Sequence, residues 1–131
     1  MKESQTDAWP QISESELEVM KVLWQFQRPL SSGEIIEALT AKTLWKPKTI
    51  QTMLNRLVAK GAVAADKNSG KAYAYQALVA EEAYKLKASE HFLDKLYAGS
   101  MQSLVAQFVR QEKILPEEKE ALRRLLEEGE A

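Results

Sequence analysis

Apolar residues recur three and four positions apart over most of this chain, the spacing that places side chains on one side of an α-helix. In the first half the pattern predicts three helices, from Ser13 to about Gln27, from Ser31 to about Lys42, and over 46–60. Only short turns separate them. Three helices joined in this way match the plan of a helix-turn-helix.

The first two helices are predicted to begin in the same way. Ser13 with Glu16, and Ser31 with Glu34, have the spacing of a capping box. In each case an apolar residue before the serine and another after the glutamate have the spacing of a hydrophobic staple. The residues predicted to face inward are Leu17, Met20, Leu23, Trp24 and Phe26 in the first helix and Ile35, Ala38 and Leu39 in the second.

The third predicted helix has two contrasting sides. Pro47 suits its first turn and Gly61 suits its end, and Trp45 is expected to pack in the corner before it. Its apolar side consists of Ile50, Met53, Leu54, Leu57 and Val58. The opposite side carries bases, hydroxyls and amides but no acid. Lysine and threonine can bind phosphates, while asparagine and glutamine can read base edges in the major groove.

This polar side is open to two interpretations, a solvated helix face or a DNA recognition surface. The local charge favours DNA. No acidic residue occurs between Glu37 and Asp66, and residues 42–71 contain seven basic residues and one acidic residue. A solvated face normally mixes both signs. The predicted DNA-contacting residues of the helix are Lys46, Lys48, Thr49, Gln51, Thr52, Asn55 and Arg56.

After Gly61 the pattern changes to a period of two residues, which predicts two strands, Ala62–Ala65 and Ala72–Gln76. The six residues between them favour a turn. Tyr73 and Tyr75 alternate with alanines, as on a strand with one buried face. The hairpin would place Lys67 and Lys71 near its tip, either as plain solubilising lysines or as a wing that contacts phosphate. Its position after a basic helix favours the wing, over 66–71.

Residues 78–131 return to the helical period and predict three more amphipathic helices. A segment this short buries little surface alone, so it either folds onto the preceding domain or pairs with a second copy. An acidic tail over a basic DNA surface would oppose binding, which favours a homodimer. The residues predicted to form the dimer surface are Phe92, Leu96, Met101, Leu104, Val105, Phe108, Leu122 and Leu125.

The predicted fold class is therefore mainly α. A flexible arm (1–11) precedes a winged helix-turn-helix domain with a small β-hairpin wing (12–77), and a three-helix dimerisation region (78–131) follows.

Charge and the content of cysteine and histidine limit the kinds of site that the chain can form. The formal net charge is −1, but residues 1–77 carry ten bases and eight acids, while residues 78–131 carry eight bases and eleven acids. The absence of cysteine excludes disulfides and zinc ribbons, and the single histidine, His91, has no cluster of carboxylates near it in sequence. We therefore expect no metal site and no cofactor.

No apolar run approaches the length of a membrane span and no leader opens the chain, so we expect a soluble cytoplasmic protein.

Four segments together resemble the penicillinase repressor family of the BlaI, MecI and CopY type. They are ISESELEVMKVLW, LWKPKTIQTMLNRLVAKGAV, GKAYAYQALV and FLDKLYAGSMQSLVAQF. The resemblance covers about residues 12–127. It implies a winged-helix domain, an intertwined helical dimer, and repression of a β-lactamase or related resistance operon at a palindromic double-stranded operator with a TACA/TGTA-type dyad.

The same resemblance implies roles for individual residues. The family's DNA-contacting positions correspond to Lys46, Lys48, Thr49, Gln51 and Thr52, and its wing corresponds to 67–71. Some members are cut after a membrane-bound sensor metalloprotease signals an antibiotic. The matching bond here is Gln107–Phe108, where the family has Asn or Ala before Phe. The copper-responsive branch carries a C-terminal cysteine motif, which this chain lacks.

Two other function classes compete with a DNA-binding repressor. The alternative is a winged-helix protein–protein interaction module that binds an acidic partner without sequence-specific DNA binding, and titration with DNA fragments would separate the two. An enzyme is disfavoured, because the sequence has no nucleophile–histidine–acid set, no glycine-rich phosphate loop and no metal-ligand motif.

Overall fold

The computed structural model describes residues 9–67 and 73–129. The chain divides into two compact units, residues 1–84 and 85–131. The first unit holds α1 (Glu14–Phe26), β1 (Leu30–Ser31), α2 (Ser32–Thr40), α3 (Pro47–Lys60), β2 (Val63–Asp66) and β3 (Ala74–Ala77). Helix α4 (Glu81–Tyr97) crosses the division, and α5 (Met101–Arg110) and α6 (Pro116–Glu128) follow it. The domain limits predicted at residues 11 and 77 stay predictions.

Both predicted capping boxes are confirmed. At the start of α1 the Ser13 hydroxyl accepts a hydrogen bond from the Glu16 amide at 3.1 Å, and the Ser13 amide donates to the Glu16 carboxylate at 3.0 Å. At the start of α2 the matching distances between Ser31 and Glu34 are 3.1 and 2.9 Å. Each box satisfies amides that have no partner within the helix, so these two helices start where the local sequence dictates.

The core of the first unit lies between α1, α2, α3 and the sheet. Its fully buried members include Val19, Met20, Ile35, Leu39, Ile50, Leu54 and Leu57. The prediction that Phe26 faces inward is wrong, since 45% of this side chain is exposed. Helix α1 ends at Phe26, beyond the edge of the core, and the Arg28 guanidinium lies 5.7 Å from its ring centroid.

The sheet has three antiparallel strands in the order β1-β3-β2. Tyr75 of the central strand pairs with Leu30 on one side and with Ala65 on the other. The predicted hairpin is confirmed with its strands shifted by one or two residues, and its turn, residues 68–72, lies outside the described residues. Three helices followed by this hairpin form a winged helix.

The two hairpin tyrosines differ in burial. Tyr75 is buried against the core, whereas Tyr73 precedes β3 and is 49% exposed. The expectation that both share one buried face is therefore wrong for Tyr73. The two ring centroids are 6.2 Å apart, but Tyr73 precedes β3, which begins at Ala74, and of the two only Tyr75 reaches the core.

Aromatic residues pack the first turn of α4 against other residues of the first unit. Tyr84 is buried, and its ring centroid lies 5.1 Å from that of Trp9 and 5.9 Å from that of Trp24. The Trp24 indole N–H donates to the Val79 carbonyl oxygen at 2.9 Å. Trp9 thus contacts Tyr84, which in turn contacts Trp24 of α1.

The second unit has little interior of its own. Ser100 caps α5, its hydroxyl accepting from the Ser103 amide at 3.0 Å, and Pro116 occupies the first turn of α6. Not one of the described residues between 85 and 129 is buried. No helix within the part of the chain that the structure describes is both long and apolar enough to cross a bilayer.

Candidate nucleic-acid interface

The N-terminus of α3 differs from those of α1 and α2. Its N-cap residue, Lys46, has extended backbone (φ −89°, ψ 155°) and makes no side-chain cap hydrogen bond. Pro47 follows, and the first turn contains no acidic residue. The first amides and the positive end of the helix dipole therefore have no negative group from this helix to balance them, which favours an anion.

Helix α3 separates its two sides as the sequence predicts. Ile50, Met53, Leu54 and Leu57 are buried, and Val58 is partly buried. The predicted DNA-contacting residues lie on the other side: Lys46, Lys48, Thr49, Thr52, Asn55 and Arg56 are exposed and Gln51 is half-buried. A DNA-reading role requires that Lys48 and Thr52 reach solvent, and both do.

Two hydrogen bonds organise the outer face of α3. The Gln51 side-chain amide donates to the side-chain oxygen of Asn55 at 3.0 Å. The Thr52 hydroxyl donates to the Lys48 main-chain carbonyl at 3.0 Å. The Asn55 amide nitrogen can still donate and the Thr52 hydroxyl can still accept. The face thus offers both kinds of hydrogen-bonding group that base edges require.

The wing adds the positive charge of Lys67 to this surface. Lys67 is exposed just after β2, and its ammonium lies 5.7 Å from the centroid of the Tyr73 ring. This cation–π contact favours an ordered position for the side chain. Lys71, the second predicted wing cation, lies outside the described residues.

The far end of α3 is held by an ion pair that sequence reasoning missed. The Lys60 ammonium donates to the Glu16 carboxylate and to the Gln11 carbonyl oxygen, the latter at 2.7 Å. Glu16 is only 3% exposed. Burial raises the pKa of the Glu16 carboxyl, but the Lys60 and Ser13 hydrogen bonds outweigh this, and the net pKa lies below its ordinary value.

A signal for this pair was present in the sequence. Glu16 occupies the inward side of α1, three and four residues before Val19 and Met20, where a charged residue needs a buried partner. The charge of Lys60 is balanced within the protein. Lys60 therefore adds less to the basic field than the count over residues 42–71 suggests.

The predicted dimer residues remain largely uncovered. Phe92, Leu96, Met101, Val105, Phe108, Leu122 and Leu125 are exposed by 36 to 59%, and Leu104 is partly buried. A cleft of about 420 Å³ in the second unit is lined mainly by apolar side chains, among them Phe108, Ile114, Leu122 and Leu125. A smaller neighbouring cleft of about 190 Å³ is lined by Leu104, Val105, Phe108 and Ile114.

The candidate cleavage bond, Gln107–Phe108, lies inside α5. The Tyr97 hydroxyl donates to the Gln107 side-chain oxygen at 2.8 Å. The bond is therefore part of a hydrogen-bonded helix, and a protease must locally unwind α5 to cut it. Within residues 9–67 and 73–129, no three His, Cys, Asp or Glu side chains are grouped to hold a metal ion.

Comparison with known proteins relates the sequence to repressors of one family. A sequence model described as penicillinase repressor matches residues 12–128. The chain is 40% identical over 119 residues to the penicillinase repressor of Bacillus licheniformis, covering 91% of each protein. It is 39% identical over 116 residues to the methicillin resistance regulatory protein MecI of Staphylococcus aureus strain N315, covering 88% of this chain and 93% of that one.

Solved structures match the N-terminal part. The Bacillus licheniformis BlaI monomer in complex with the blaP half-operator is 45% identical, with a TM-score of 0.50, covering 57% of this chain and 89% of that one. The separate DNA-binding domain of the repressor BlaI gives 45% identity and a TM-score of 0.51 over the same fractions.

Proposed function

The chain belongs to the penicillinase repressor family, and from this premise we propose that it is a sequence-specific DNA-binding transcriptional repressor. The regulated genes are those of a β-lactamase or a related resistance operon. The family consists of repressors rather than enzymes, which confirms the expectation that the chain is not a catalyst. Because a repressor acts on DNA, its site of action is the cytoplasm.

The observation that carries this function is the exposed, acid-free outer face of α3 beside the wing. Lys46, Lys48, Arg56, Lys67 and Lys71 would bind phosphates, which supplies most of the affinity. Thr49, Gln51, Thr52 and Asn55 would lie along base edges and supply the specificity. A related domain of 45% identity is solved on a half-operator, which supports the same use of this surface here.

Alanine substitutions test the reading face. Thr52→Ala should weaken operator binding about 5- to 150-fold, because a lost base contact costs roughly 1–3 kcal/mol. Lys48→Ala should weaken binding to the operator and to mixed-sequence DNA alike, because it removes a phosphate contact. Thr40→Ala is a matched control, since the Thr40 hydroxyl also donates to a carbonyl of its own helix, but on α2. The measurement is a gel-shift titration on the operator with mixed-sequence competitor DNA. Wild-type affinity in both variants would refute this assignment.

The repressor would bind as a homodimer through its second unit. Two observations support this: the second unit has no buried residue among those described, and apolar side chains line its clefts. A second copy presenting the same helices would cover these clefts from both sides. Twofold symmetry would then place two recognition helices on a palindromic operator.

For induction, the proposal names a single bond at which the chain would be cut. If a membrane sensor metalloprotease relieves repression by cutting this chain, the bond it cuts is Gln107–Phe108. Cutting there would separate α6 from most of α5 and divide the apolar surface proposed for the dimer. Mass spectrometry of the repressor recovered from β-lactam-treated cells should then show fragments 1–107 and 108–131. Full induction with an intact chain would refute cleavage at this bond.

A further inference from the structure

Leu44, in the turn between α2 and α3, is the most exposed large apolar side chain in the part of the chain that the structure describes. It is 99% exposed, whereas Tyr73 and Leu78, also in the first unit, are 49% and 60% exposed. Its exposure matters because of where it lies, two residues before the N-cap of the proposed recognition helix.

The two neighbours of Leu44 in this turn are held toward the core, whereas Leu44 is not. Thr43 and Trp45 are partly buried, and Trp45 packs against the core, while Leu44 and Lys46 are exposed. The Thr43 hydroxyl donates to the Leu39 carbonyl at 2.8 Å and accepts from the Trp45 amide at 3.2 Å, which ties both inward residues to α2. Leu44 therefore projects away from the core into solvent, two residues before the exposed Lys46.

Lys46 belongs to the surface proposed above for DNA, and Leu44 lies two positions before it in the chain. An isobutyl group there cannot bind phosphate and offers no hydrogen bond. In the major groove, the apolar group presented by a base is the C5-methyl of thymine, which apolar side chains recognise by contact. Resting on the proposed function, we infer that Leu44 reads the C5-methyl group of one thymine in each half-site of the operator.

The test removes that methyl group without altering base pairing. The full-length protein first selects its operator from a random-sequence duplex pool, and each thymine is then replaced singly by deoxyuridine. At one thymine per half-site the wild type should bind about 4-fold more weakly, which corresponds to about 0.8 kcal/mol for one buried methyl. Replacement in both half-sites should weaken binding by about 15-fold.

Leu44→Ala should remove this discrimination, so that the variant binds the thymine and deoxyuridine duplexes equally. Leu78→Ala, an exposed leucine after β3, should keep the wild-type preference. Because Leu44 is almost fully exposed, circular dichroism should show an unchanged fold in Leu44→Ala.

Two results would overturn the inference. In the first, no thymine shows methyl dependence in the wild type. In the second, Leu44→Ala keeps the preference for thymine, either with unchanged affinity or with the weaker affinity expected for contact with a deoxyribose. Both leave sequence-selective binding intact, so the proposed function survives them. Failure to enrich any duplex would instead overturn both.

Discussion

Lys60 is a basic residue beside the proposed DNA surface, but its charge is paired inside the protein. Its ammonium balances the buried carboxylate of Glu16 and so joins the end of α3 to the start of α1. Removing one partner of a buried pair leaves the other charge unpaired, which costs more than the pair contributes. The role of Lys60 is therefore best tested through stability.

We expect Lys60→Met to lower the free energy of unfolding at pH 7 by about 1–3 kcal/mol, the cost of a buried polar group that loses a charged partner. Lys42→Met, at an exposed position, should change it by less than about 0.5 kcal/mol. Chemical denaturation followed by tryptophan fluorescence measures both values, since Trp24 lies in the same unit.

The cost of Lys60→Met should also depend on pH in a defined direction. In the wild type the lowered pKa of Glu16 contributes stability above the ordinary value of 4.5, and this is lost as the pH falls through the folded-state pKa. Without Lys60, burial favours protonated Glu16. The difference between variant and wild type should therefore shrink below pH 4.5. A difference that grows toward acid would contradict the ion pair.

Gln27 offers a second test at the scale of one residue. It ends α1 in the left-handed region, with φ of 56°, where a side chain is strained and glycine is not. Gln27→Gly should stabilise the first unit by about 0.5–1 kcal/mol. Gln25→Gly, inside the same helix, should destabilise it by a similar amount. Thermal unfolding of the two variants measures the contrast, and equal shifts would contradict it.

At the scale of elements, the capping of α3 links stability to binding. Lys46 leaves the helix without a side-chain cap, while Ser13 and Ser31 cap α1 and α2. Lys46→Asp should add a cap and a favourable charge at the helix N-terminus, raising the free energy of unfolding by about 1 kcal/mol. The same carboxylate should repel phosphate.

Operator affinity of Lys46→Asp should therefore fall at least 10-fold while its melting temperature rises. Lys46→Ser separates the two effects, because it adds a cap without adding negative charge. It should keep most of the gain in stability and lose less affinity. A Lys46→Asp variant that is more stable and still binds the operator with wild-type affinity would show that this helix end does not face DNA.

The sequence predicted the elements that depend on neighbouring residues. It did not predict the contacts between residues that are far apart in the chain. The capping boxes determined the starts of α1 and α2 because their hydrogen bonds span three residues, and Pro47 suited the start of α3 through its fixed φ angle. Strand β1 was missed because its two residues, Leu30 and Ser31, form a strand only through pairing with β3. The Glu16–Lys60 pair was missed for the same reason, since 44 positions separate its members.

At the scale of the whole molecule, the two units differ in what they bury. The first has a closed core, whereas the described residues of the second expose apolar side chains on all three helices. The sequence predicted these apolar stripes, and the homodimer proposed above would cover them. Dimerisation must therefore be measured in solution.

Leu104→Asp combined with Phe108→Asp tests the proposed dimer surface. Both side chains line the same cleft, and a carboxylate buried there without a partner would cost several kcal/mol. Sedimentation equilibrium should show a wild-type dimer and a variant monomer, with the first unit still folded by circular dichroism. Lys119→Asp, on the exposed surface of α6, should remain dimeric. A dimeric double variant would exclude this surface.

The salt dependence of binding then distinguishes one subunit on DNA from two. Each phosphate neutralised contributes about −0.9 to the slope of log affinity against log salt concentration. Because each subunit carries its own cations on α3 and the wing, the wild-type dimer on a full operator should give about twice the slope of the monomeric double variant on a half-operator. Lys48→Ala should reduce the dimer slope by about 1.8, since it removes one phosphate contact from each subunit. Equal slopes for dimer and monomer would mean that only one α3 of the dimer contacts DNA, which would contradict the symmetric arrangement.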